Sequence, residues 1–462
     1  MIAVVRGGDL ALAGKTVHVR QYVLERIERG EWAAGTALPG ARDLAEILGI
    51  SFLKVQQGLE TLALDGVLET RARVGTFVRS DWRERVLRDN LSVFNKRQNL
   101  PWIDGLEAIL AREMPGLRLT DAFPRSMLEI KTLLHVQMNH DHYLDLAGIL
   151  EQVLAETGPV FSEPFAPCRV GGRVVGVPVI SSPRFICFNP ALLRRHGCPL
   201  PAAGWTWDDF MAIVRRLCAA MDPALVLDWV PLPYYWLNFV LRAGGHVFDA
   251  GCADPIAFDR PQARLGLRLF RELGDALGRP VHDQAAFADA FANDQAAMAI
   301  GTRQFTSVLR GRGWDGWQAV PLPSIPGGAE TSSQAADLAC VRDSCTDPEL
   351  ARRFIRLMLS PSVQDHLADL RYGVPVCKAS ALRTLDLGDA RETLVLHELG
   401  RMSWEPCMPS ADLSRFVLRG ITRLLDVSRD IDADAVELAK AARLHLAANA
   451  HNPFVAQPNY IP

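Results

Sequence analysis

The chain has 462 residues, 49% of them hydrophobic, which is too long for one ordinary domain and enough to bury more than one core. A formal net charge of −3 excludes a globally basic nucleic-acid coat, so any DNA contact has to be local, and residues 1–85 carry 12 Lys and Arg against 11 Asp and Glu. Nine cysteines without CxxC spacing fit reduced thiols better than a disulfide framework, and no run of about 18 apolar residues is present to span a bilayer.

Met1 to Ala13 lacks a signal-peptide pattern, so a cytoplasmic protein is expected. The organising stretch runs from His18 to Val78. Within it, residues 42–48 (RDLAEIL) predict an amphipathic helix with Leu44, Ile47 and Leu48 at helical spacing. Gly49-Ile50-Ser51 supplies a turn and an N-cap, and Phe52 to Leu64 predicts a second helix with Val55, Leu59 and Leu62 on the same core. Two short helices joined by a glycine turn make a helix-turn-helix, whose second helix enters a major groove. After Asp65-Gly66, residues 67–70 and 75–78 alternate as the two strands of a wing. Arg71, Arg73, Arg79, Arg83 and Arg85 gather on and after it, either as phosphate contacts or as solvated surface.

The order ERIERGEWAAGTALPGARDLAEILGIS, then VQQGLETLALDGVLETRARVGTFV, resembles the winged helix-turn-helix of GntR-family regulators. The resemblance implies DNA contacts from Arg42, Ser51, Phe52, Lys54 and Gln56, with Gly75 and Thr76 at the wing tip. Phe52 and Gln56 stand where family members often carry arginine, which implies a different operator; Gln pairs bidentately with adenine and Phe touches a thymine methyl. The alternative for Phe52 is an extra core residue.

Residues 83–89 read as a charged linker. Beyond it, Asn90 to Phe94 predicts a strand, Pro101 opens a helix carrying Ile103, Leu106, Ile109 and Leu110 on one side, and Met114 to Leu119 turns into another strand, an α/β unit. His135, His140 and His142 lie close together without a carboxylate or cysteine set at ligand spacing; they read as surface polar residues, and no metal or other cofactor is expected.

From Gly171 a second set of landmarks follows in order: Val177-Pro178, Phe188-Asn189, Thr206-Trp207-Asp208-Asp209, then LRAGGHVFD, FANDQAAMAIG, VPLPSIPGG and YGVPVCKASAL. This run resembles the extracellular solute-binding proteins of ABC importers, the maltodextrin-binding group. The resemblance implies an α/β fold of two lobes, a type II periplasmic-binding-protein-like domain over residues 90–462 after a winged helix over 1–82. Crossovers are implied near Ser181-Ser182, Pro321 and Val374-Pro375, giving lobe 1 as 90–181 with 321–373 and lobe 2 as 182–320 with 374–462. The poorly matched stretch before Gly171 implies a trimmed first lobe. By resemblance the ligand site takes Ser182, Tyr234, Tyr235, Trp236, Arg303, Gln304 and Asp337, with Trp229, Arg184, Trp314 and Trp317 as further cleft candidates. Tyr234, Tyr235 and Trp236 are expected to stack on a sugar ring, Arg303 to clamp a carboxylate or form a surface salt bridge, and Asp337 to accept from a sugar hydroxyl or a cationic ligand, or to cap a helix.

Six lysines, none in a phosphate-binding context, argue against the pyridoxal-phosphate domains that also follow GntR modules, and GxSxG and Walker patterns are lacking, so no enzyme is expected. The expected protein is a homodimeric transcription regulator that binds a double-stranded DNA operator and senses a small-molecule effector, a carbohydrate. The alternative is a structural or nucleoid-type DNA binder whose large domain oligomerises without ligand.

Overall fold

The computed structural model describes residues 19–20, 22–24, 26–27, 30–64, 66–72, 74–82, 90–93, 101–120, 126–278, 283–384, 386–403, 405, 407–428 and 430–450. Met1 to Ala13, Arg73, the linker at 83–89 with Arg83 and Arg85, and Phe94 lie outside them. Two units emerge: Met1–Ser92 with Met114–Leu128, and Val93–Glu113 with Glu129–Pro462.

In the first unit, helix α1 (Ala41–Leu48) begins at Gly40, whose N–H donates to Asp43 Oδ2 at 3.1 Å, and ends at Gly49. At Gly49 a φ of 62° lets the N–H turn back to the Ala45 and Glu46 carbonyls, a left-handed conformation that a Cβ would strain. Helix α2 (Phe52–Leu64) buries Val55, Leu59 and Leu62 as expected. Ile47, expected beside Leu44, is instead 57% exposed, because so short a helix meets the core along one ridge. Strands β1 (Leu68–Arg71) and β2 (Gly75–Val78) pair antiparallel, Leu68 opposite Val78 and Arg71 opposite Gly75, which is the wing. Residues 36–38 run along the other edge of β2, with Leu38 N–H donating to the Thr76 carbonyl at 2.8 Å. Val19, Val23, Ile27, Leu38, Trp82 and the buried faces of α1, α2, β1 and β2 form one core. Strands β3 (Asn90–Val93) and β4 (Arg118–Thr120) are parallel, with α3 (Pro101–Glu113) between them in sequence, the expected strand-helix-strand order.

The second unit holds two sheets. In the first, β5 (Leu128–Thr132) lies beside a long strand, which is flanked in turn by β6 (Val177–Ser182). In the second, β7 (Phe185–Phe188) is antiparallel to the strands on both its sides. Every residue of β6 (VPVISS) and β7 (FICF) is buried, the two serines of β6 included, as strands are when both faces of a sheet are covered. Only Pro183 and Arg184 separate them, so the chain passes from one lobe to the other there.

The second lobe continues with α4 (Trp207–Cys218), β8 (Leu227–Asp228), α5 (Pro233–Arg242), α6 (Pro261–Leu277), β9 (Met298–Gly301), α7 (Arg303–Gly311) and β10 (Gln318–Val320), giving strand order β8-β9-β7-β10. Thr206 caps α4 as the sequence suggests: its hydroxyl accepts from Asp209 N–H, and its own N–H donates to Asp209 Oδ2 at 2.8 Å. Returning, β11 (Ser332–Ser333) leads into β12 (Ala335–Val341), the long strand between β5 and β6. Val374–Pro375, expected at the third crossover, forms β13 against β6. That crossing therefore lies further on, before α8 (Ala390–Leu399) and β14 (Met402–Ser403), which pairs in parallel with β11. Helices α9 (Ala411–Val427) and α10 (Ile431–Ala450) finish the second lobe: Leu413, Val417, Ile421, Leu425, Ala439 and Ala442 share a core with Phe188, Trp236 and Met298. His140 is buried, not superficial; its Nε2 lies 3.1 Å from the Met408 carbonyl.

Candidate functional site

On the first unit, the residues expected to face DNA stand at the start of α2. Ser51, Phe52, Leu53 and Gln56 are exposed, and Lys54 is half-buried. Phe52 is 47% exposed, which removes the core alternative. Lys54 Nζ donates to Gln57 Oε1 at 2.8 Å and Gln56 Nε2 to Glu60 Oε1 at 3.1 Å, holding both side chains along the helix. Arg42 is exposed on α1 and has no side-chain partner among the described residues. At the wing, Gly75 is exposed with φ 137° and Thr76 is half-buried. Arg71 stacks 4.3 Å over Phe77 and pairs with Glu69, while Arg79 pairs with Asp81 at 2.9 and 3.1 Å. Both described wing arginines are thus engaged by neighbouring acids.

In the second unit, polar side chains gather where the chain first crosses between lobes. Ser182 is fully buried, and its Oγ accepts from Arg303 N–H at 2.9 Å. Tyr235, 2% exposed, donates to Asp228 Oδ2 at 2.7 Å and accepts from Gln284 Nε2 at 3.0 Å. Burial pushes the Asp228 carboxyl up to about 6, against the pull of Tyr235 and Arg184. Tyr234, half-buried, lies 4.9 Å from Tyr235 and walls a cavity of about 60 Å³ with Leu133, Leu237, Ser333, Gln334 and Glu405. That volume is far below the roughly 300–1,000 Å³ of sites that engulf a small molecule. Asn238, reaching from α5, accepts from Ser333 N–H at 2.9 Å and donates to the Tyr234 carbonyl at 2.9 Å, tying the second lobe to the β11–β14 ribbon.

Other expected ligand residues sit elsewhere. Trp236 is fully buried in the second lobe's core and its indole N–H donates to Thr422 Oγ1 at 3.3 Å, so it offers no ring to a cleft. Trp229 packs edge-on to Phe270. Arg303 is neither a surface residue nor an open clamp: its Nη2 meets Glu392 Oε2 at 2.6 Å and its Nη1 the Gly373 carbonyl at 3.0 Å. Burial lowers the Arg303 pKa, and Glu392 opposes the shift. Gln304 is half-buried with Oε1 unpartnered, and Asp337 caps no helix but sits within β12 with Oδ2 unpartnered. Burial alone pushes Asp337 up to about 7. The sequence reading missed Asp228, Asn238, Gln334 and Glu405, none of which stands in a motif. Glu405 accepts from Val247 and Phe248 N–H at 3.1 and 2.9 Å.

Residues 15–78 match the family described as bacterial regulatory proteins, gntR family, and residues 136–365 match bacterial extracellular solute-binding protein. The uncharacterized HTH-type transcriptional regulator YieP of Escherichia coli is 40% identical over 64 residues, 13% of this chain and 28% of that protein. The HTH-type transcriptional regulator Rv1152 of Mycobacterium tuberculosis is 37% identical over 68 residues, 14% of this chain and 56% of that one. YisV of Bacillus subtilis, also an uncharacterized HTH-type transcriptional regulator, is 31% identical over 86 residues, 19% of this chain and 16% of its own length. The chain therefore spans from 16% to 56% of the length of these curated relatives. Among solved structures, a tagatose-bound solute-binding protein from Thermotoga lettingae superposes with TM-score 0.65 at 13% identity, covering 77% of this chain and 98% of that one. UgpB from Mycobacterium tuberculosis in complex with glycerophosphocholine gives 0.61 at 15% identity, covering 78% and 98%. Maltose-bound MalE3 of Thermotoga maritima gives 0.62 at 16%, covering 77% and 98%. Neither matched family is an enzyme family. The chain thus carries a gntR-family helix-turn-helix domain at residues 15–78 and a bacterial solute-binding-protein domain at residues 136–365, the latter within a large two-lobed α/β fold.

Proposed function

We propose that this protein is a cytoplasmic, homodimeric transcription regulator that reads an operator with α2 and senses a small hydroxylated solute of the sugar kind between the lobes of its second unit. The observation that carries it is an outward-facing set, Arg42, Phe52, Lys54 and Gln56, on the same chain as a two-sheet domain whose first crossover is lined by buried polar groups. The tagatose and maltose in neighbours of the same fold support the sugar class. Of the expected aromatic set, Tyr234 is the ring that reaches the cavity wall. A space of about 60 Å³ does not hold a sugar ring, so ligand entry requires the lobes to part. A solute with differential affinity for the parted state then shifts the population, and a swing from 1:99 to 99:1 needs roughly 5.5 kcal/mol of preference. Operator affinity measured by fluorescence anisotropy against solutes whose binding is established by calorimetry tests the linkage; unchanged affinity at saturation rejects it. The small cavity also favours a second reading, a DNA-binding protein whose large domain assembles without ligand. A panel of mono- and oligosaccharides that leaves the melting temperature unmoved, together with concentration-dependent assembly, supports that reading instead.

A further inference from the structure

We propose that Arg184 anchors an anion subsite, so that the solute taken is a small hydroxylated molecule bearing one carboxylate or phosphate. The inference rests on the sensing role proposed above and deepens it. Arg184 sits in the first crossover and is 9% exposed, yet its guanidinium makes no hydrogen bond to any described residue; only its backbone N–H is used, donating to Ser332 Oγ at 3.1 Å. The side-chain Nε is fully enclosed and unpartnered.

The other buried arginines of the second unit are treated differently. Arg242 donates to the carbonyls of Leu322, Pro323 and Thr331 and to Glu330, and Arg303 to Glu392 and Gly373. A planar fork of five N–H donors taken out of water requires acceptors, and a carboxylate or phosphate matches its geometry with two parallel bonds. Asp228 does not fill that role: its Oδ2 is taken by Tyr235, its Oδ1 is unpartnered, and it forms no ion pair with Arg184.

The surroundings favour an anion that offers two oxygens side by side. The guanidinium carbon lies 5.4 Å from the Tyr234 ring centroid and 6.0 Å from that of Tyr235, which fixes its plane. Both tyrosines belong to the first turn of α5, whose end carries positive partial charge. Tyr234 also walls the cavity next to Ser333 and Gln334, whose Oγ and Oε1 are unpartnered and suited to the hydroxyls of the same molecule.

The full-length protein is melted in glycerol phosphate, glycerate, inorganic phosphate or uncharged glycerol, with sodium chloride matching the ionic strength. Glycerol phosphate or glycerate is expected to raise the melting temperature by about 2 °C over chloride, with glycerol inert. Whichever of the two acts better assigns phosphate or carboxylate. Arg184→Gln abolishes the shift and Arg184→Lys keeps part of it, while Asp228→Asn enlarges it by removing a negative charge that repels the bound anion. The proposal is overturned if no anion exceeds chloride in the parent, a result readable without any variant, or if Arg184→Gln responds as the parent does. Operator binding is not read, so failure here leaves the regulator reading standing, whereas the loss of solute–operator linkage leaves this subsite standing.

Discussion

Glu392 and Asp337 are both buried carboxylates of the second unit, held in opposite ways. Glu392 faces Arg303 at 2.6 Å, Arg371 at 3.2 Å and Arg310 at 3.4 Å, so its charge balances a cationic cluster. Glu392→Gln strands those arginines and should cost about 3–5 kcal/mol in urea unfolding. Asp337 has no cationic partner among the described residues, and burial lifts its pKa from 3.8 to about 7. The folded state then binds the proton more tightly than the unfolded one, so stability falls as pH rises from about 4 to about 7 and stays low above it. Asp337→Asn should be more stable than the parent at pH 8, by up to about 4 kcal/mol, with the advantage gone near pH 4; equal stabilities at pH 8 would contradict this. Chain order placed Asp337, Arg303 and Trp236 in the cleft, but exposure is set by what packs around a side chain. The aromatic density from Trp229 to Phe239 reports that α5 is covered on nearly every side, with Tyr235, Trp236, Asn238, Phe239, Val240, Leu241 and Arg242 all buried.

At the level of elements, long and fully apolar segments were legible and very short ones were not. β7 (FICF) and β9 (MAIG) carry no polar side chain, β6 opens as an apolar run (VPVI) before its two serines, and α2 shows in its spacing of Val55, Leu59 and Leu62. β11, β13 and β14 have two residues each and so carry no period, yet β13 decides where the third crossover falls. Arg184 was a cleft candidate by resemblance, but its unpaired guanidinium was not legible: it sits in a two-residue connection, and its surroundings depend on α5 arriving from another part of the chain. The meeting of α5 and α6 has its own demand, since a Cβ on Gly266 would stand 2.4 Å from the Phe239 carbonyl oxygen. Gly266→Ala should therefore push the helices apart and lower stability by about 1–3 kcal/mol, with a lower urea midpoint and an unchanged fold by circular dichroism.

For the whole molecule, a net charge of −3 means that attraction to DNA rests on a few local cations. Operator affinity should fall linearly on a log–log plot against salt, each phosphate contact contributing a slope of roughly −0.9, and Arg42→Ala should reduce the slope magnitude by about 1. A slope unchanged in Arg42→Ala would place that residue off the DNA. The second lobe, meanwhile, is assembled from distant stretches: α9 and α10 supply part of the same core as β7 and α4, although some two hundred residues separate them. During synthesis the apolar core of the helix-turn-helix, among the described residues, is complete once Trp82 has left the ribosome. The far lobe must wait until Ala442 has followed, its half-built sheet open to chaperones through the more than two hundred residues after β7.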